Sequence, residues 1–230
     1  MNRIILIETS TSLCSTALVE DGKVVCERLS SEPRAHASMT APYVNEMLKE
    51  RGLGVKDCSA VAVSKGPGSY TGLRVGVSTA KGLCFGAGIP LISVGTLDTL
   101  VWQAMDGGLV PEGCRYIIPM VDARRMEVYT AVFTTDGKQV TPTEAMVVGE
   151  ESFKDQLSEG PVLFIGDGAG KCQEVIGTHN AFFVQCCPKA SGMTKPAVAA
   201  FNEGRFEDVA YFEPYYLKEF MTTTSKKKLF

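Results

Sequence analysis

From Ser64 to Gly88 the chain reads SKGPGSYTGLRVGVSTAKGLCFGAG, with glycine at 66, 68, 72, 76, 82, 86 and 88, directly after the apolar run Ala60–Val63. An apolar run, a Gly-Pro-Gly turn and a longer periodic stretch, in that order, predict a strand, a tight turn and a helix. Ser69 or Thr71 stands where a side-chain oxygen can cap the first free N–H groups. Gly72, Gly76 and Ala80 recur every four residues, so one stripe of the helix carries almost no side chain. Each glycine inside a helix costs about 0.5–1 kcal/mol relative to alanine, so something must approach this stripe closely enough to repay it. Two approaches are open. Either the helix crosses its own sheet, or the turn at Gly66, Gly68 and Ser69 offers backbone N–H groups to an anion at the helix N-terminus. A Walker loop is excluded: counted from Gly66, Thr71 falls where the second glycine belongs, and no Gly-Lys-Ser/Thr follows.

The composition sets the frame around this unit. With 230 residues and 45% hydrophobic side chains the chain can bury a large core. A net charge of −3 with 23 basic residues argues against a protein that grips nucleic acid unaided, because phosphate contacts are built from clustered Lys and Arg. Eight cysteines are scattered without a Cys-x-x-Cys pair, several inside apolar runs where they pack as small hydrophobes, which predicts a reducing, cytoplasmic setting. No secretory leader and no apolar run of about 18 residues is expected to carry the chain to a membrane. The basic run Lys226–Lys228 reads as a solvated tail.

The segment GPGSYTGLRVGVSTAKGL closely resembles the signature of the TsaB (YeaZ) family of the tRNA threonylcarbamoyladenosine pathway. The segment VDARRMEVY from Val121 and the closing Pro214-Tyr215-Tyr216-Leu217 resemble that family's corresponding motifs, with Lys218 where arginine is common. The resemblance implies a non-catalytic relative of the transferase TsaD and a two-lobed actin-like fold (ASKHA, ribonuclease-H-like) of the α/β class with a truncated second lobe.

The rest of the chain is ordered accordingly. Short strands are predicted at Arg3–Ile7, Ser15–Val19 and Val24–Leu29, the last two joined by the hairpin signal Glu20-Asp21-Gly22-Lys23. A helix is predicted over 35–51 from Met39, Tyr43, Val44, Met47 and Leu48, with Pro42 either kinking it or marking its start behind a Thr40 cap. Trp102–Gly113 reads as the connection between lobes, Tyr116–Val121 and Glu127–Phe133 as strands with a turn at Asp136-Gly137, and Val162–Ile165 as a strand entering a second glycine turn. Phe182–Val184 is a further strand, and Pro196–Asn202 a helix. The expected division is 1–100, a ribonuclease-H-like lobe with the glycine helix; 101–212, a smaller lobe; and 213–230, a closing segment with the tail.

Candidate site residues follow partly from the residues and partly from the resemblance. The turn at Glu8 and Thr9 sits where the superfold keeps its first phosphate loop; Gly66, Gly68 and Ser69 form the second candidate, Asp122 and Arg124 a third, and Gly166 with Gly168 lie on the expected adenine side. An independent phosphotransferase or glycoprotease-type peptidase would need an aspartate base, full phosphate loops or metal ligands. In TsaD relatives the strand matching Ile89–Val94 runs into two metal-binding histidines; Thr96 and Leu100 hold those places here, and the chain's histidines, His36 and His179, stand elsewhere. The resemblance therefore implies an accessory pseudoenzyme with no catalytic residue and no metal. Its partners would be TsaD as a heterodimer and the ATPase TsaE, with a homodimer when alone and tRNA met only through the complex. No cofactor is required, ATP or ADP being held weakly or at the complex interface. The expected pairing surface is Met39, Tyr43 and Met47 on the first helix with Gly72, Gly76 and Ala80 on the glycine helix.

Overall fold

A computed structural model of the chain describes residues 1–177 and 179–218. Lys226–Lys228, expected as a solvated tail, lies outside the described residues.

The chain opens with three antiparallel strands, β1 (Arg3–Glu8), β2 (Cys14–Glu20) and β3 (Lys23–Ser30). Asp21 and Gly22 between β2 and β3 have φ of 46° and 80°, both left-handed, as a two-residue turn matching strand twist requires. Helix α1 (Ala35–Glu50) follows, then a 3-10 turn at Val55–Asp57, β4 (Ala60–Gly66), the glycine helix α2 (Tyr70–Ala87) and β5 (Leu91–Gly95). In the resulting sheet the order is β3-β2-β1-β4-β5, with β4 parallel to β1 and to β5. The residues of β1 from Ile4 to Ile7 are all buried, because both faces of the sheet are covered. Ile5, Ile7, Val61 and Val63 pack under α1 and α2 with Val44, Met47, Val77 and Ala80. Ile4, Leu6, Ala62 and Ile92 face the other way.

Pro42 lies inside α1 rather than at its start, and Thr40 Oγ1 donates to the His36 carbonyl at 2.6 Å instead of capping. The missing Pro42 N–H would have met the carbonyl of Ser38, an exposed residue, so the helix runs through it.

The second lobe begins with α3 (Thr96–Asp106), β6 (Tyr116–Asp122), β7 (Glu127–Thr130), β8 (Phe133–Thr134) and β9 (Glu144–Val147). It continues with α4 (Lys154–Ser158), β10 (Val162–Gly166), α5 (Ala169–Ile176) and β11 (Ala181–Gln185). The sheet order is β11-β10-β6-β7-β9, with β8 paired to β6. Pro119 falls in β6 between Tyr116-Ile117, which β8 pairs, and Met120–Asp122, which β7 pairs, so on that side its missing N–H breaks no ladder. The expected single strand at 127–133 is thereby split in two. One face of this sheet packs on α3, through Leu97, Leu100, Val101 and Ala104 against Ile117, Val121 and Ile165; the other packs on α4 and α5.

Two stretches of the chain differ from the expected reading. Trp102–Asp106 is the last part of α3, not a linker, and α3 packs on the second lobe's sheet from Leu97 onward. The chain also returns to the first lobe: a 3-10 turn at Ala190–Met193 and α6 (Thr194–Asn202) cover the free face of the first sheet with Met193, Ala197 and Ala200. Ala190–Asn202 thus packs with the first sheet although it follows the second in sequence. Small apolar residues at helical spacing in α6 record burial, but not which sheet buries them.

Candidate functional site

The carboxyl ends of β1, β4 and β5 in one lobe, and of β6 and β10 in the other, carry the polar residues singled out by the sequence. Glu8 ends β1 and is fully buried, and Asp167, just after β10, is close enough to act on its charge, so the strand ends of the two lobes face each other. A crevice of this kind is where α/β sheets place ligands.

Glu8 Oε1 accepts the Ser10 N–H at 2.6 Å, while Oε2 has no partner at hydrogen-bond geometry. Burial pushes the Glu8 carboxyl up from its ordinary range; the Ser10 N–H and the Ser10 and Ser64 hydroxyls pull it partly back, and Asp167 adds to the rise. Burial likewise raises Asp167, eased by the Asp122 N–H at 2.9 Å, and raises Asp98 near the start of α3, eased by Lys65. One buried and two half-buried carboxyls raised in this way single the crevice out, since such shifts mark functional sites often. Asp98, Lys65 and Ser64 were not singled out by the sequence, since nothing in their spacing marks them. Asp167 lies between Gly166 and Gly168, the glycines that the sequence does mark.

The glycine turn of the first lobe is filled by the chain itself. Ser69 caps α2, its Oγ accepting the Gly72 N–H at 3.2 Å, as expected. The Ser69 N–H, however, donates to the Ser10 carbonyl at 2.6 Å. A Cβ on Gly68 would stand 2.2 Å from that same carbonyl oxygen, and one on Gly72 would stand 2.1 Å from the Thr9 carbonyl oxygen. Thr9 Oγ1 donates to the Gly72 carbonyl at 2.9 Å and lies 2.2 Å from where a Gly76 Cβ would be. The loop after β1 thus rests on the first two turns of α2. The Ser69 N–H is thereby spent on Ser10 and not offered to an anion.

The residues of the expected pairing surface differ in exposure. Gly72, Gly76 and Ala80 are buried, the two glycines against Thr9, and Met47 is buried in the core beneath α1; Met39 and Tyr43 are half-buried. The outward side of α2 is a different set: Arg74, Ser78, Gly82 and Gly86 are exposed, Phe85 is 86% exposed, and a Cβ on Gly82 or Gly86 would meet nothing within 4 Å.

In the second lobe Asp122 is held by Lys171 Nζ at 2.5 Å and accepts the Arg124 N–H at 2.8 Å; Lys171 also donates to the Arg125 and Glu127 carbonyls, each at 2.7 Å. Asp122 therefore belongs to an ion pair that fixes the β6–β7 turn. Gly166, at φ 140°, would put a Cβ 2.1 Å from the Met120 carbonyl oxygen, and the Gly168 N–H donates to that oxygen at 2.9 Å. Both glycines let the turn lie on its own sheet. Thr96 opens α3 buried, and the Leu100 side chain is in the core.

Comparison with known proteins sets this geometry in context. The family model described as TsaD, tRNA N6-adenosine threonylcarbamoyltransferase, matches residues 23–220. The tRNA threonylcarbamoyladenosine biosynthesis protein TsaB of Escherichia coli (strain K12) is 33% identical over 225 residues, covering 94% of each chain. YeaZ from Pseudomonas aeruginosa superposes with a TM-score of 0.81 at 24% identity, over 94% of this chain and all of that one. An inorganic polyphosphate/ATP-glucomannokinase from Arthrobacter sp. strain KM superposes with a TM-score of 0.52 at 12% identity, over 88% of this chain. The last two likenesses establish the fold: two α/β lobes of the actin-like kind.

Proposed function

The chain belongs to the TsaB family of tRNA threonylcarbamoyladenosine biosynthesis, and from that premise we propose that it acts as a non-catalytic partner of TsaD. In this reading TsaD attaches the threonylcarbamoyl group to the adenosine beside the anticodon, a separate synthase supplies the carbamoyl-adenylate donor, and TsaE is a further partner. The observation that carries it is the filled glycine turn: Ser10 and Thr9 occupy the approach to α2 that a phosphate would need. Thr96 and Leu100 support the same reading, since neither side chain replaces an imidazole. ATP or ADP is then held where the complex forms and not in this chain's own crevice.

The surface for pairing, with TsaD or with a second copy, is the outward stripe of α2. Gly82 and Gly86 let a partner helix approach closely, and Phe85 supplies an apolar side chain that none of the described residues covers. Threonylcarbamoyl transfer to tRNA by purified TsaD, TsaE and the donor synthase, with and without this chain, tests the proposal. Transfer that depends on the chain, with no hydrolysis or phosphotransfer by the chain alone, is the expected result. Full transfer in its absence, or chemistry by the isolated chain, overturns it.

A further inference from the structure

After α6 the chain runs back over the first lobe and ends on the second. The Glu207 N–H donates to the Leu91 carbonyl at 2.8 Å, and its carboxylate accepts the Ser93 hydroxyl at 2.5 Å. Val209 and Phe212 pack against the core beneath α2, and Lys81 donates to the carbonyls of Ala210 at 3.0 Å and Phe212 at 3.1 Å. This part is anchored by two half-buried apolar side chains together with backbone hydrogen bonds.

Beyond Phe212 the contacts change in kind. The Tyr215 N–H donates to the Lys65 carbonyl at 2.7 Å, and its own carbonyl oxygen lies 2.7 Å from where a Gly66 Cβ would stand, so the segment presses on the glycine turn. The Tyr216 ring lies on Tyr70, in the first turn of α2, with centroids 4.7 Å apart. Lys218 then reaches the other lobe, pairing with Glu127 of β7 and lying 5.8 Å from the centre of the Tyr129 ring. Tyr215 is 45% and Tyr216 37% exposed. Exposed ion pairs and ring contacts are individually weak and the former are screened by salt, so a fastening made of them opens more readily than the core beneath it.

We propose that Glu213–Lys218 is a releasable clasp: it ties β7 of the second lobe to the glycine turn of the first, and its release opens the crevice at Ser10 and Ser69. The anchor at Glu207–Phe212 stays in place while the clasp opens, so the segment swings and does not dissociate. This rests on contacts within the chain and stands whether or not the partner reading holds.

Amide hydrogen exchange on the full chain tests it, with the Ser10 and Ser69 amides and those of β7 as reporters. In the variant Tyr216→Ala with Lys218→Ala these amides exchange about tenfold faster than in the wild type, while those of β1 and α1 are unchanged. Lys218→Glu speeds the same amides, and adding Glu127→Lys to it restores protection by remaking the pair with its charges reversed. Added salt speeds them in the wild type and not in the doubly alanine-substituted chain. Unchanged exchange at Ser10 and Ser69 in that variant, uniform acceleration that includes β1 and α1, or no recovery in the charge-reversed pair would each overturn the proposal.

Discussion

The two lobes each carry a strand, a glycine turn and a helix, and the two units use their glycines differently. In the second lobe Gly166 and Gly168 turn the chain tightly against Met120 of the neighbouring strand, and α5 continues without a glycine stripe on its inner face. In the first lobe the glycines run on into α2, where Gly72 and Gly76 receive the loop after β1. A glycine turn alone brings backbone onto its own sheet; a glycine stripe brings a second piece of chain onto the helix. The first lobe's unit has the layout of a phosphate cradle, but its space is taken by Ser10 and Thr9.

Substitution at single glycines breaks or sharpens this comparison. Gly72→Ala is expected to cost the most, about 3 kcal/mol in urea unfolding, because its Cβ meets the backbone carbonyl of Thr9 and the loop itself must move. Gly76→Ala costs about 2 kcal/mol, since the atom it meets is the Thr9 hydroxyl. Adding Thr9→Ala should recover much of that loss; simple addition of the two costs would mean that Thr9 is not what fills the stripe. Gly168→Ala costs about 1.5 kcal/mol, because its Cβ would meet a Val128 methyl at 2.9 Å and the backbone of Met120 and Asp122 at 3.1 and 3.2 Å, contacts less severe than those at Gly72 and Gly76. Gly82→Ala has the opposite sign, a gain of about 0.5–1 kcal/mol, since the site is open and alanine is the better helix former. Two glycines of one helix would then respond in opposite directions.

The buried carboxyl gives a test that depends on pH. Glu8 holds its proton more tightly folded than unfolded, so the wild type loses stability as pH rises from the ordinary value of 4.5 through the raised one. Glu8→Gln removes that loss: its thermal midpoint exceeds that of the wild type at neutral pH, and the gap closes toward pH 4.5 and below. A gap independent of pH would mean that the folded and unfolded chains hold the Glu8 proton equally, and a gap that widens as pH falls would mean that Glu8 is ionised in the folded chain.

Much of the fold was legible because it is local. Asp21-Gly22 marks the first hairpin, the apolar runs mark β1, β4 and β10, and the Gly-Pro-Gly turn with Ser69 marks the start of α2. The partner of the glycine stripe was not legible. A row of small residues records how close a neighbour comes but not which neighbour it is, and Thr9 stands 63 residues away from Gly72. The same limit hid the return of α6 to the first lobe and the contact of Lys218 with Glu127. Trp102–Asp106 read as a linker because the glycines after it outweighed an apolar face that only the second sheet explains. Within the site, Glu8 was visible at a strand end, whereas Asp98 and Lys65 gain meaning only when the strand ends converge.

In the proposed role the chain acts through the outer surface of α2 and not through its crevice. The most direct test is threonylcarbamoyl transfer in the reconstituted mixture with two variants compared: Glu8→Gln in the crevice and Gly82→Leu on the exposed stripe, each confirmed folded. Full transfer with Glu8→Gln, and transfer lost together with TsaD binding for Gly82→Leu, is the predicted result. Transfer abolished by Glu8→Gln and untouched by Gly82→Leu would contradict it and put the chemistry back in the crevice.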